Sequence, residues 1–221
     1  MATSTTASPA VEPAAKSANS ILWTRLASFL SILPLGVWTV NHLWDNLAAF
    51  QGAQAWQTAV THHPNPVAQG LTVFIVLLPL ALHSVWGIQR LFTTRPNNQR
   101  YNTYNNFKYI LQRVTAVGAL GFIGAHLWLA MLQPRLVRGE AESFADIARE
   151  MRHHGPTLVV YLLGSLAVCY HLANGISGVA WTWGLASGRK SLRMFDRVAI
   201  IAFLIMLGMA WMAIYALYQA G

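Results

Sequence analysis

Five stretches of this chain are each long and apolar enough to cross a lipid bilayer, which leaves few folds open to it. A hydrocarbon core of about 30 Å needs about 20 apolar residues in helical form, and such runs occur at about Trp23–Asn46, Val67–Leu91, Tyr109–Gln133, Pro156–Trp183 and Phe195–Gln219. With no water in the core to satisfy backbone N–H and C=O groups, each run must close its hydrogen bonds within itself as an α-helix. The expected fold is an all-α membrane protein, with five transmembrane helices in one bundle spanning residues 21–221. Residues 1–20, rich in Ala, Ser, Thr and Pro, read as a disordered leader. They do not make a signal peptide, because no cleavage-like site separates the leader from a full-length span. Charged residues make up 10% of the chain, against roughly 25% in a soluble domain.

Orientation follows from where the cations fall. Lys and Arg concentrate in cytoplasmic connections. One set of connections and span ends holds Lys16, Arg25, Arg90, Arg95, Arg100, Lys108, Arg113, Arg189, Lys190, Arg193 and Arg197. On the other side, Arg135, Arg138, Arg149 and Arg152 share a loop with Glu140, Glu142, Asp146 and Glu150, and the connection from Asp45 to Pro66 has no Lys or Arg. The N-terminus is therefore expected in the cytoplasm and the C-terminus outside. The net charge of +8 sits in loops and sets topology, so nucleic acid is not an expected partner. Cys169, the single cysteine, excludes an internal disulfide and a cysteine-ligated cluster within this chain.

The chemistry lies in four histidines. His42, His83, His126 and His171 fall one in each of the first four spans, separated by 41, 43 and 45 residues. An imidazole at membrane depth faces the bundle interior and needs a partner there. With the orientation above, His42 and His126 come late in outward-going spans and belong to the outer half. His83 lies seven residues before Arg90 at the inner end, and His171, nearer the middle of its span, is the partner left for it. Two bis-histidine haem sites are the leading reading, with outer pair His42/His126 and inner pair His83/His171. Zinc or non-haem iron is disfavoured because the spans offer little sulfur or carboxylate to complete such a site. Gly87 and Gly175, each four residues after an inner histidine, leave room for a flat macrocycle or else mark close helix packing. Arg90 and Arg113 are the expected partners of haem propionates. The doublets His62–His63 and His153–His154 read as outer loop residues. Cys169 is expected to pack.

In combination, several short motifs carry a family resemblance. They are Arg25-Leu26, Leu33-Pro34-Leu35-Gly36 leading to Asn41-His42-Leu43, Leu78-Pro79-Leu80-Ala81-Leu82-His83 with Gly87, Leu111-Gln112-Arg113-Val114-Thr115, His126-Leu127-Trp128, and His171-Leu172-Ala173-Asn174-Gly175 followed by Thr182-Trp183-Gly184. From about Trp23 to its end the chain resembles the cytochrome b558 membrane-anchor subunits of succinate dehydrogenases and fumarate reductases, of the single-chain, dihaem type. The resemblance implies two haem b groups, with ligands at His42, His83, His126 and His171. It implies a cytoplasmic flavoprotein with FAD and an iron–sulfur subunit as partners, menaquinone as the membrane substrate, and the bacterial cytoplasmic membrane as the location. The dicarboxylate chemistry would belong to the flavoprotein, and the heterotrimer would stand alone or in a higher oligomer.

Two positions depart from relatives. Cys169 stands where some fumarate-reducing relatives carry a glutamate, and His62, His63 and Asn65 stand near where relatives keep a carboxylate. His63 is therefore the expected proton-exchanging residue at an outer quinone site, on a polar rim with Asp45, Asn46 and His62. Two other readings stay open at this point: a haem b anchor of another respiratory enzyme, such as a hydrogenase or formate dehydrogenase, and a haem-free transporter using intramembrane histidines.

Overall fold

The computed structural model describes residues 18–62, 66–95, 100 and 103–221. Its described residues form helices and connections only: α1 (Ala18–Ile32), α2 (Pro34–Asn46), α3 (Ala53–Trp56), α4 (Pro66–Thr93), α5 (Tyr104–Leu127), α6 (Gln133–Arg138), α7 (Phe144–His153), α8 (Gly155–Thr182) and α9 (Arg189–Ala220). Five stretches are long and apolar enough to cross a membrane: Ile21–Gln51, Gly70–Thr93, Tyr104–Arg138, Gly155–Thr182 and Arg189–Ala220. Each contains or overlaps one of the expected spans. Because α1 begins at Ala18, the last three residues assigned to the leader are helical, and residues 1–17 lie outside the described residues.

Prolines shape the spans. Pro34 has no N–H to continue the ladder, and the first span breaks there into α1 and α2. Pro79 lies inside α4, four residues before His83, and offers no donor to the carbonyl of Ile75. Pro134 is the second residue of α6, which follows directly on a π-turn at Trp128–Leu132, in which Gln133 N–H reaches back to Trp128 O. That wider turn re-satisfies the ladder just upstream of the missing donor.

The bundle is organised around α8, which packs on α9, α5, α1 and α7. Its buried residues include Ser165, Cys169, Ala173 and Ser177, a run at i, i+4 spacing that puts small side chains on one face. Such a face lets α9 approach closely without large side chains intervening, and Cys169 and Ala173 pack there against Met206 and Ala210. Cys169 is thus a packing residue at 1% exposure. By contrast, α4 packs on α1 and α2 and only lightly on α5.

One element was not expected. The charged connection between the third and fourth spans contains α7, whose Phe144, Ile147, Ala148 and Met151 are buried. Those four residues follow the spacing of a single helical face, and they seat α7 across α8 and α9 with Tyr161, Ile214 and Leu217. Ser143 caps α7 by accepting the Asp146 N–H at 3.0 Å, and Asp146 in the first turn suits the positive end of the helix dipole. The arginines and acids used above to set topology pair beside it, Arg138 with Glu142 at 2.9 Å and with Asp146 at 3.2 Å. Gly139 ends α6 at φ 74°, a left-handed turn for which glycine has no steric penalty.

Candidate functional site

The four intramembrane histidines meet in two pairs, in the combination that depth suggested. The rings of His42 on α2 and His126 on α5 have centroids 5.9 Å apart, with planes at 67°. Those of His83 on α4 and His171 on α8 lie 6.1 Å apart at 66°. Two imidazoles on opposite sides of one metal ion, each nitrogen about 2 Å from it, hold their ring centres about 6 Å apart. The helices bearing each pair do not otherwise pack closely, since neither α2–α5 nor α4–α8 is among the principal helix contacts. Each pair thus joins two helices that otherwise make little direct contact. Among the described residues no three His, Cys, Asp or Glu side chains converge on one point, so each donor set is two imidazoles. Two facing imidazoles with no third protein donor beside them are a set that would fit a haem, held by His42 with His126 and by His83 with His171.

A ligating histidine usually commits its second nitrogen to an acceptor that fixes ring orientation and tautomer. Three of the four do so through Nδ1. His171 Nδ1 lies 3.2 Å from the Gln112 carbonyl, His83 Nδ1 lies 3.4 Å from the Ala27 carbonyl, and His126 Nδ1 lies 3.1 Å from the Tyr161 hydroxyl. His42 is held differently. Trp38, one turn before it, stacks on its ring at 4.7 Å and 9°, and Asn46, one turn after it, donates to its backbone carbonyl at 2.8 Å. The same amide also reaches His42 Nε2 at 3.5 Å, a long contact like that of His83 with Ala27, and Trp56 Nε1 donates to the Asn46 oxygen at 3.2 Å.

Around His126 the packing is tight. Phe122, one turn earlier on α5, stacks on its ring at 5.6 Å and 23°, and Phe122 in turn occupies the space left by Gly164 on α8. A Cβ at Gly164 would lie 2.1 Å from Phe122 Cδ2. Gly164 and Gly118, whose Cβ would meet Ala167 at 3.1 Å, are the glycines that bring α5 and α8 together. The two glycines read from sequence behave otherwise. Gly87 opens on free space, while a Cβ at Gly175 would make ordinary contact with Ile32 at 3.7 Å.

The two arginines diverge. Arg90 is exposed and lies over the Trp86 ring at 5.7 Å, with Trp86 beside His83 at 6.1 Å. Arg113 instead closes the end of α4. Its two terminal nitrogens reach the carbonyls of Leu91 at 2.5 Å and Thr94 at 3.0 Å, the Thr94 hydroxyl at 2.7 Å and the Tyr109 hydroxyl at 2.7 Å. These are the carbonyls that a helix C-terminus leaves without intrahelical donors, so Arg113 has a capping load that the sequence did not announce.

At the α7 end, His62 is exposed and lines a cleft of about 510 Å³ with Gln54, Gln57, Thr58, Thr61 and Glu140. His63 lies outside the described residues. Asn41 donates to Asp45 at 2.7 Å, so Asp45 and Asn46 both belong to the polar end of α2. Sequence reasoning passed over Gln112 and Tyr161 as positioning residues. A polar side chain within an apolar span, one helix away from a histidine at matching depth, was the available signal for both.

The family model describing the succinate dehydrogenase/fumarate reductase transmembrane subunit matches residues 93–210, which include one histidine from each pair. The chain is also 31% identical over 193 residues to the succinate dehydrogenase cytochrome b558 subunit of Bacillus subtilis (strain 168), covering 87% of this chain and 94% of that one. A bundle of five membrane-spanning helices, with paired histidines between them and these two matches, places the chain in the succinate dehydrogenase/fumarate reductase transmembrane-subunit family.

Proposed function

We propose that this membrane subunit is the dihaem cytochrome b anchor of a succinate:quinone oxidoreductase in a bacterial cytoplasmic membrane, joining a flavoprotein and iron–sulfur pair to menaquinone. The observation that carries the reading is the pair of ring separations, 5.9 and 6.1 Å, each between helices that otherwise make little direct contact. A haem b held by two imidazoles supplies one-electron transfer at a potential set by its ligands and surroundings. The chain's part is to hold those ligands still. Gln112, Ala27 and Tyr161 orient three of the rings, and Trp38 and Phe122 shield two of them from water. Tyr161 and His171 are ten residues apart on α8, so the two pairs stand about 15 Å apart along the helix axis. Arg90 is the first choice for a haem carboxylate at the inner edge, because Arg113 already closes α4.

In this reading the N-terminus is cytoplasmic, and the basic inner ends around Arg95–Lys108 and Arg189–Arg197 seat the iron–sulfur subunit. The quinone head meets the outer end, where the cleft beside His62 offers amides and hydroxyls to its carbonyls. His63 exchanges protons there, since an imidazole titrates close to neutral pH.

Two measurements test this. The purified subunit is expected to carry two b-type haems per chain by its visible spectrum and haem assay, and one or none would end the assignment. His63→Ala is expected to lower succinate-to-quinone turnover by roughly 10²-fold, the lower end of what a positioned proton donor contributes. Succinate-to-dye activity and haem content should hold in the same membranes, with His62→Ala as control. Unchanged quinone turnover in both variants removes the doublet from the mechanism.

A further inference from the structure

Close to the inner histidine pair, three helices bring together a charged cluster that neither haem ligation nor packing explains. Lys108 on α5 and Asp196 on α9 form an ion pair at 2.6 Å, with side chains only 17% and 27% exposed. Ser177 on α8 donates to the same carboxylate oxygen at 2.8 Å. Ionisable residues within membrane spans are costly and mark functional positions. Stability is a weak reason for keeping them, since replacing a buried ion pair with apolar residues is often neutral or favourable.

The cluster connects to the histidine. Lys108, Asp196, Tyr104 and Asn174 line one cavity of about 60 Å³, with room for several waters. From that wall Asn174 donates to Gln112 Oε1 at 2.8 Å. Gln112 Nε2 donates to the His171 carbonyl at 3.0 Å, and His171 Nδ1 donates to the Gln112 carbonyl at 3.2 Å. Ser177 stands six residues beyond His171 on the same helix, so the paired charges lie about 9 Å from the histidine along the axis. Charges at that range in a protein interior are only partly screened by salt.

We infer that the Lys108–Asp196 pair is an electrostatic control site for the group held between His83 and His171, setting its midpoint potential by balancing one positive against one negative charge nearby. The inference rests on the dihaem reading. Reduction adds one negative charge between the two imidazoles. An uncompensated Lys108 ammonium favours that state, and an uncompensated Asp196 carboxylate opposes it.

The test is a redox titration of the visible bands of the intact purified complex. Asp196→Asn is expected to raise the inner midpoint and Lys108→Gln to lower it. Each shift should correspond to roughly tenfold in the oxidised-to-reduced ratio, or about 59 mV for one electron. The double variant should return close to the parent value, and the outer haem should move less in every case. A purely structural pair would move both single variants in the same direction or neither, and that result overturns the inference while two haems in the parent complex leave the dihaem reading standing. Fewer than two haems in the parent complex would instead remove that reading, and this inference with it. Ser177→Ala covers the case in which the charge variants do not assemble. Losing a donor to the carboxylate concentrates its negative charge and should lower the inner midpoint by a severalfold change in the same ratio; an unmoved midpoint there also overturns the inference.

Discussion

On the dihaem reading proposed above, His171→Ala and, separately, His83→Ala are expected to leave one b-type haem per chain in place of two, with the survivor at the outer pair. A methyl side chain offers no donor, and the rings of His83 and His171 face each other at 6.1 Å. The effect should extend beyond colour. Apart from His83, α4 is held mainly by α1 and α2, by light contact with α5, and by the Arg113 cap at its end. A group bridging α4 to α8 that binds only the folded bundle stabilises it by mass action, by about 4 kcal/mol at a thousand times its dissociation constant. The inner-pair variants should therefore inactivate at lower temperature than the parent, and α4 should become more accessible to proteolysis. The haem-to-protein ratio and a heat-inactivation profile measure the two effects together. An inner-pair variant that keeps two haems would separate these histidines from ligation altogether.

Gly164→Ala is the second large effect expected, although the change adds one methyl group. The new Cβ would fall 2.1 Å from Phe122 Cδ2 and 2.6 Å from Phe122 Cβ. Contact with Cβ as well as the ring means that swinging the ring cannot relieve the clash. Either α5 retreats from α8 or Phe122 leaves its rotamer, and overpacking of this kind costs about 1–3 kcal/mol. Phe122 stacks on His126, so the disturbance reaches the outer pair directly. The expected result is a lowered thermal midpoint with weakened or lost outer haem and an intact inner one. Gly208→Ala, where an added Cβ meets nothing within 4 Å, serves as control and should be harmless or mildly favourable, as alanine suits a helix interior better than glycine. Pairing Gly164→Ala with Phe122→Ala should recover part of the stability, because neighbouring substitutions that share one clash are not additive. A Gly164→Ala protein with parent stability and an undisturbed outer haem would contradict the described α5–α8 contact.

Hydrophobic length alone was enough to count the spans, because lipid permits no unpaired backbone and each run had to be a helix. The histidine pairing also followed from sequence, through a simple geometric step: in antiparallel spans of similar length, position along the chain converts to depth. The amphipathic α7 was within reach but missed. Phe144, Ile147, Ala148 and Met151 follow a helical face, yet eight charges in the same connection drew the reading toward solvent and topology.

Other features had no signature along the chain. Arg113 resembled a counter-charge for a haem carboxylate, and it became the cap of α4 because the end carbonyls of that helix arrive beside it from a different span. Gln112 became a positioning residue only because His171 and Asn174 meet it across the α5–α8 interface. Gly164 was one small residue among many until Phe122 filled its space, and of the two readings open for Gly87 close packing is the one its surroundings do not support. Sequence by itself therefore determined what the membrane demands of each segment, namely helix number and composition, and placed one imidazole in each of four spans, because those features belong to one helix at a time. Which polar group satisfies which was left to the tertiary structure, since a donor inside a bundle finds its acceptor on a neighbouring helix, and that choice depends on how helices rotate and slide when their small and large side chains interlock.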